Sequence, residues 1–351
     1  MVHSNNVTTL AGLNLHSNAI RQMVFDMHLQ KRIDPLSELS ATETSKCIRN
    51  IDRNIAHLEE SVLADDHTLF SAHVAWTTSV LKSRNKTTKP FYDSLNYINK
   101  VCQRLLPSKD SSVISDYIFK SIIIGENTPN TISFVAPGNH LHEYAQRYLG
   151  LLLIGNRRGA YDLIHELVGN GIEISDIYEQ VFQVSQYEVG RLWEINKLSV
   201  AQEHFCTSST QLIMASLYEK MFNSNEKKGV ILGCSADDEL HELGIRMVTD
   251  LFEMDGWDTY YMGANMPAQS IVAAIKERRA HVLAISATMS LQIGKVRQLI
   301  KLIKEDEDLT SVKIIVGGAA FTKVPDLWIR LGADATATNA KEAIAWANNQ
   351  L

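Results

Sequence analysis

The four cysteines of this 351-residue chain, Cys47, Cys102, Cys206 and Cys234, lie far apart, and no two form a Cys-x-x-Cys pair. That spacing excludes a zinc site built from paired ligands and fits reduced thiols in a cytosolic protein better than a disulfide frame. Lysine and arginine form no block, and the formal charge is -6. The chain thus lacks the basic face that phosphate tracking requires, and direct nucleic-acid binding is not expected. No uninterrupted apolar run approaches membrane length, and residues 1–12 lack a basic region followed by an apolar core. Neither a membrane span nor a signal peptide is expected, and the expected location is cytoplasmic. What is present is ordinary for a globular protein: 45% hydrophobic and 21% charged residues, on a chain long enough for two or three domains.

Residues 15–127 alternate apolar and polar side chains at helical spacing, as in Ile51, Ile55, Leu58 and Val62, or Phe70, Val74 and Val80. Breaks at Asp34-Pro35, Ala64-Asp65-Asp66, 87–90 and Pro107-Ser108 divide them into about five helices. An all-helical amino-terminal domain over 1–127 is expected, then a linker over 128–140 that includes Pro129-Asn130-Thr131. A second helical block over 141–222 has amphipathic stretches at 142–154, 158–169, 175–195 and 200–222, and a polar hinge, Asn223-Ser224-Asn225-Glu226, comes after it. Beyond the hinge, short apolar runs at 229–233, 258–262, 281–286, 313–316 and 333–336 alternate with helical patterns over 239–254, 268–278, 289–304, 324–331 and 340–348. Such alternation predicts a parallel sheet with right-handed crossovers, whose ligands sit beyond the carboxyl ends of the strands.

A dinucleotide site would need Gly-x-Gly-x-x-Gly at the first strand-to-helix turn, where this chain has Gly233-Cys-Ser-Ala-Asp-Asp. The turn continues as Glu239-Leu240-His241-Glu242-Leu243-Gly244. A histidine on a loop, with a carboxylate able to hold its other ring nitrogen, is how proteins fix the tautomer of a metal-bound imidazole. Taken alone, the hexapeptide fits a surface histidine at a helix start equally well. Three further segments lie past other strands: Tyr261-Met262-Gly263-Ala264-Asn265-Met266-Pro267, Ser286-Ala287-Thr288 and Val316-Gly317-Gly318-Ala319. In order and register over 229–351, the four resemble cobalamin-binding domains, whose Asp-x-His-x-x-Gly signature has Glu239 in the acidic place here. The resemblance implies a flavodoxin-like (Rossmann-like) five-stranded parallel sheet that binds cobalamin with its nucleotide tail displaced from cobalt and His241 ligating the metal instead. Glu239, Leu240 and Gly244 would frame that ligand, Ser286 and Thr288 would hydrogen-bond the tail, and Gly317 and Gly318 would let the backbone approach it.

The block at 141–222 then resembles a four-helix-bundle cap over the upper face of the corrin. Within it, Trp193, nine residues, then Glu203-His204 resembles the cap motif of the light-responsive adenosylcobalamin regulators of bacterial carotenoid synthesis. There Trp193 would wall the upper ligand, and Glu203 and His204 would contact the adenosyl group. On the residues alone, Trp193 also fits a core position and the Glu-His pair a surface one. Glu194 stands after the tryptophan where the best-known such photoreceptor has histidine, so a second cobalt donor would have to be another residue, such as His204 or His165. Residues 1–127 lack the basic recognition helix and wing hairpin of those regulators, and His67 and His73 read as structural. The resemblance therefore implies a non-catalytic cobalamin sensor, a photoreceptor holding adenosylcobalamin. It would act through a protein partner, such as a transcription regulator or signalling protein, or through a change of homo-oligomer. The alternative is a corrinoid carrier protein, loaded with methylcobalamin, that passes methyl groups between methyltransferase partners. Such carriers resemble residues 141–351 but normally lack the helical domain and begin the histidine motif with Asp. A radical isomerase would need a substrate barrel of which this sequence gives no sign.

Overall fold

The computed structural model describes residues 4–31, 40–129, 132–221 and 227–351 of the protein, which divides into two compact units. Asp34-Pro35, Asn130-Thr131 of the expected linker, Phe222 and the hinge 223–226 lie outside the described residues.

The first unit takes in the chain up to Thr128 together with Thr288–Arg297 and Ala319–Gly332. Its amino-terminal helices are α1 (Ser4–Gln30), α2 (Ala41–Leu63), α3 (Thr68–Ser83), α4 (Lys89–Leu105) and α5 (Ser108–Glu126). A capping box starts α2: Ser40 Oγ accepts the Glu43 N–H, and the Glu43 carboxylate accepts the Ser40 N–H. The apolar stripes read from the sequence meet in one core, which includes Leu13 and Ile20 of α1, Leu58 and Val62 of α2, Phe70 and Val74 of α3, Ile98 of α4 and Ile118 of α5. Inside it, the rings of His57 and His73 are stacked at 3.7 Å, and His73 Nε2 lies 3.0 Å from Asn54 Oδ1. Burial pushes His57 down to about 3 and His73 well below its ordinary range, so both rings are neutral core groups.

The second unit contains four helical segments followed by the sheet. The segments are α6 (His142–Leu153), α7 (Arg157–Gly169), a rod running from α8 (Ile174–Ile177) through a π-helical turn (Tyr178–Gln183) into α9 (Val184–Glu194), and α10 (Val200–Ser216). Tyr148, Leu152, Leu163, Ile164, Phe182 and Ile213 form their core, which continues into Met247 and Leu251. The strands are β1 (Val230–Ser235), β2 (Asp258–Gly263), β3 (Val282–Ser286), β4 (Lys313–Gly317) and β5 (Ala335–Thr336). All neighbours are parallel, in the order β2-β1-β3-β4-β5, so the fold is the flavodoxin-like arrangement expected. In chain order, the strands are joined by α11 (Leu243–Met254), α12 (Ala268–Arg278), α13 (Ile293–Glu305) and the pair α14 (Ala319–Lys323) and α15 (Leu327–Leu331), and α16 (Ala340–Asn348) closes the chain. A Cβ on Gly233 would lie 2.3 Å from Thr249 Oγ1, so the bare glycine is what seats α11 against β1. Among the described residues, no helix is long and apolar enough to cross a membrane.

Two departures from the sequence expectation bear on function. The first strand runs to Ser235, two residues past its expected end, with a register break against β2 between Gly233 and Cys234. The helix after it starts at Leu243 rather than at residue 239, which leaves His241 on a loop.

Trp257 is fully buried and donates its Nε1–H to Asn348 Oδ1 at 3.0 Å. Trp257→Ala is expected to lower stability by about 3–5 kcal/mol, read as a fall in the thermal midpoint of the folded chain. In the first unit, burial pushes Glu59 up to about 7 and Glu60 up to about 8, from an ordinary 4.5. The folded state therefore holds these protons more tightly than the unfolded one, so their contribution to stability is greatest below pH 4.5 and is lost as pH rises towards 8. Urea titrations across that range should show the decline, and Glu60→Gln should flatten it.

Candidate functional site

The loop between β1 and α11 is built around one carboxylate. Asp238 takes a left-handed conformation, φ 62°, and cannot continue into a helix there. Glu239, 1% exposed, turns its side chain back on the chain: Oε1 accepts the His241 N–H at 3.0 Å and lies 2.5 Å from His241 Nδ1. A residue bonded so to the backbone two positions on competes with helix formation, which is why the helix starts only at Leu243. The imidazole itself is 62% exposed. Its hydrogen bond to Glu239 raises its pKa; burial opposes this, and the charges of Glu239 and Glu203 add to the rise.

Neighbouring elements brace the loop. Ser235 Oγ donates to the His241 carbonyl at 3.1 Å. Asn265, at φ 52°, accepts the Asp238 N–H on its side chain at 2.9 Å and donates its own N–H to the Glu239 carbonyl at 3.0 Å. Glu242 accepts from Tyr261 Oη at 2.9 Å, from the Ala264 N–H at 3.1 Å and from Gln211 Nε2 of α10 at 2.9 Å. Gln211, Ser235, Glu242 and Asn265 were not singled out as site residues by sequence reasoning. Only Asn265 carried a signal, an asparagine two places past Gly263 at a strand end, where left-handed backbone is common.

The other expected residues fall in two places. Ser235, Ser286 and Gly317 share one register row across β1, β3 and β4, so Ser286 and Gly317 stand beside the strand end from which the histidine loop departs. At Gly318, φ 96°, a Cβ would lie 2.5 Å from the Ala287 carbonyl oxygen, a position that only glycine can fill. Thr288 opens the segment 288–297 of the first unit, Gly244 lies in the first turn of α11 with open space beside it, and Leu240 is 75% exposed. In the helical segments, Trp193 packs against their core, while Glu203 and His204 pair with each other in the first turn of α10 behind the Ser199–Gln202 capping box. The charge of Glu203 reaches His241, so the head of α10 lies within electrostatic range of the histidine loop. His165 lies 2.9 Å from Ser216 Oγ and stacks on Tyr161.

Comparison with known proteins gives this geometry a family. Two B12 binding domain family models match the chain, one over residues 229–345 and the other over 144–218. Dimethylamine corrinoid protein 1 of Methanosarcina acetivorans is 26% identical over 212 residues, 60% of this chain and 98% of the relative. The dimethylamine corrinoid protein of Methanosarcina barkeri is 30% identical over 183 residues, 51% of this chain and 84% of the relative. The solved monomethylamine corrinoid protein of Methanosarcina barkeri superposes with a TM-score of 0.53 at 25% identity, over 60% of this chain and all of that one. These relatives overturn the expectation of a light-responsive regulator, and with it that of a transcription regulator or signalling protein as partner. Trp193, partly buried, packs against the core of the helical segments, and the Glu-His pair stands at a helix head.

Glu239 sets the protonation of His241, and this can be read directly. In imidazole NMR titrations, His241 should titrate above the ordinary 6.5, and Glu239→Gln should bring it back down. Since the folded value is the raised one, the pair stabilises the fold fully below pH 6.5 and loses that contribution as pH climbs through the folded value. The chain covers 84% of a relative to which it is 30% identical, and it belongs to the corrinoid proteins built on a B12 binding domain.

Proposed function

We propose that the protein is a corrinoid carrier that passes methyl groups between methyltransferase partners. The observation that carries this reading is that the chain covers most of the length of the dimethylamine corrinoid proteins it matches, helical segments included. The division proposed with it is a cap over 141–222, a corrinoid domain over 229–351 and an amino-terminal helical domain over 1–127, with residues 128–140 as linker.

The donor set suits the group. A single imidazole fits a cobalt whose other ligands arrive with the macrocycle, and a bare backbone at Gly317-Gly318 fits a tail that must lie close to the chain. When bound, the corrinoid supplies a cobalt centre that takes up a methyl group from one partner and yields it to another. His241 would hold the cobalt through Nε2, since Glu239 engages Nδ1 and so fixes the tautomer and ring direction. Ser286, Thr288, Gly317 and Gly318 would hold the nucleotide tail, and Gly244 would let α11 begin without a side chain beside the loop. Leu240, with Trp193, Glu203 and His204 of the cap, would border the corrin, and the upper ligand in this reading is methyl rather than adenosyl. The expected acidic residue is Asp in most carriers; Glu239 does the same work with one more methylene, which its buried placement accommodates.

The test is methylation of the reconstituted chain. The full protein loaded with hydroxocobalamin and reduced chemically, mixed with methylamine methyltransferases and mono-, di- or trimethylamine, should develop the absorption of methylcobalamin. A chain that binds the corrinoid but is methylated from none of these donors would overturn the proposal. In the same assay, Glu239→Ala is expected to weaken corrinoid binding about 10- to 100-fold, measured by spectroscopic titration.

A further inference from the structure

The two segments that the carboxyl-terminal part of the chain lends to the first unit directly continue the proposed tail groove. Thr288–Arg297 begins two residues after Ser286, and Ala319–Gly332 begins immediately after Gly318. Both are gripped by the amino-terminal helices. His57 Nδ1 of α2 and Ser290 Oγ share a hydrogen bond of 2.7 Å. Three residues on, Glu60 Oε2 accepts the Gly294 N–H at 2.8 Å, satisfying one of the orphan donors in the first turn of α13. At the end of α2, the carbonyls of Ala64 and Asp65 accept from the guanidinium of Arg330 on α15, the second at 3.3 Å. The neighbouring helix α3 packs on α14.

These contacts form a built surface. His57, Glu60 and Ala64 are three and four residues apart, one face of a helix. A Cβ on Gly294 would lie 2.7 Å from Glu60 Oε1, so the glycine makes room for the carboxylate. The charges of Lys295 and Arg297 favour the ionised form of Glu60, while burial and Glu59 oppose it; His57 faces the positive charges of Arg53 and Lys323. Polar groups buried to this degree persist where partners satisfy them.

We propose that the amino-terminal helical domain is a clasp on the corrinoid tail. By holding Thr288–Arg297 and Ala319–Gly332, it would steady the two segments that run on in the chain from Ser286 and Gly318, and so slow release of the tail. This rests on the assignment of Ser286, Thr288, Gly317 and Gly318 to the tail. The methylamine corrinoid relatives match 60% of the chain or less, so the clasp would be this chain's own means of keeping its cofactor.

Two measurements on the full chain test it: release of bound hydroxocobalamin into an excess of a corrinoid-scavenging protein, followed by absorbance, and peptide-resolved hydrogen exchange without corrinoid. His57→Ala with Glu60→Ala should raise exchange over 288–297, and Arg330→Ala, which leaves the core of the helical domain intact, should raise it over 319–332. Both should speed release about tenfold to a hundredfold while the spectrum of the bound cobalt stays unchanged. Glu60→Gln, which keeps an acceptor for the Gly294 N–H, should release like the wild type. Unchanged exchange, or raised exchange with wild-type release, would overturn the clasp and leave the corrinoid reading standing. A wild-type chain that takes up no hydroxocobalamin would overturn both.

Discussion

Everything at the mouth of the sheet depends on one buried carboxylate. Glu239 sits inside the loop at 1% exposure with its charge end turned to the backbone and ring of His241. Removing a carboxylate from water costs several kcal/mol unless donors replace the water, and here a single residue two positions on supplies two. The price of that burial is a loop that cannot become helix, and the loop is what lets a histidine project at the end of β1. Ser235, Asn265 and Glu242 tie the loop to the strand below it, to the turn after β2 and to α10, so the imidazole stands on a braced platform although it is itself half in solvent.

The alternation of short apolar runs with helical ones announces the parallel sheet, and the loops past β1, β3 and β4 stand out in the sequence because each breaks its pattern with residues that packing does not ask for: a histidine, a serine with a threonine, two glycines. The helix start at residue 239 was misread because Glu-Leu-His-Glu-Leu has good helical propensity. Only the left-handed Asp238 and the back-turned carboxylate, both tertiary facts, displaced it to Leu243. Glu242 was illegible for a related reason. A glutamate beside a histidine reads as solvated surface, and nothing local shows that Tyr261, Ala264 and Gln211, far apart in the chain, converge on it.

Function was misread where a spacing was asked to stand for a chemistry. A tryptophan ten residues ahead of a Glu-His pair is what results when one helix ends, a short turn intervenes and a capping box opens the next. Proteins with different tasks share that construction, and fold-level likeness does not choose among them. Nor could the sequence show that segments 288–297 and 319–332 associate with the amino-terminal helices, because Glu60 and Gly294 are separated by 234 residues and neither stands out from its neighbours in the chain.

The π-helical turn Tyr178–Gln183 has a consequence of phase. Each residue of an α-helix turns the chain by about 100°, so a single insertion rotates everything after it relative to everything before. Ile177 and Phe182 face the core ahead of and within the turn, and Val189 and Trp193 still meet it beyond. Deleting one residue there would give a more regular rod and swing Val189 and Trp193 round its axis, away from that core. The irregularity is the angular correction by which one long rod keeps two stretches of its length facing the same neighbour.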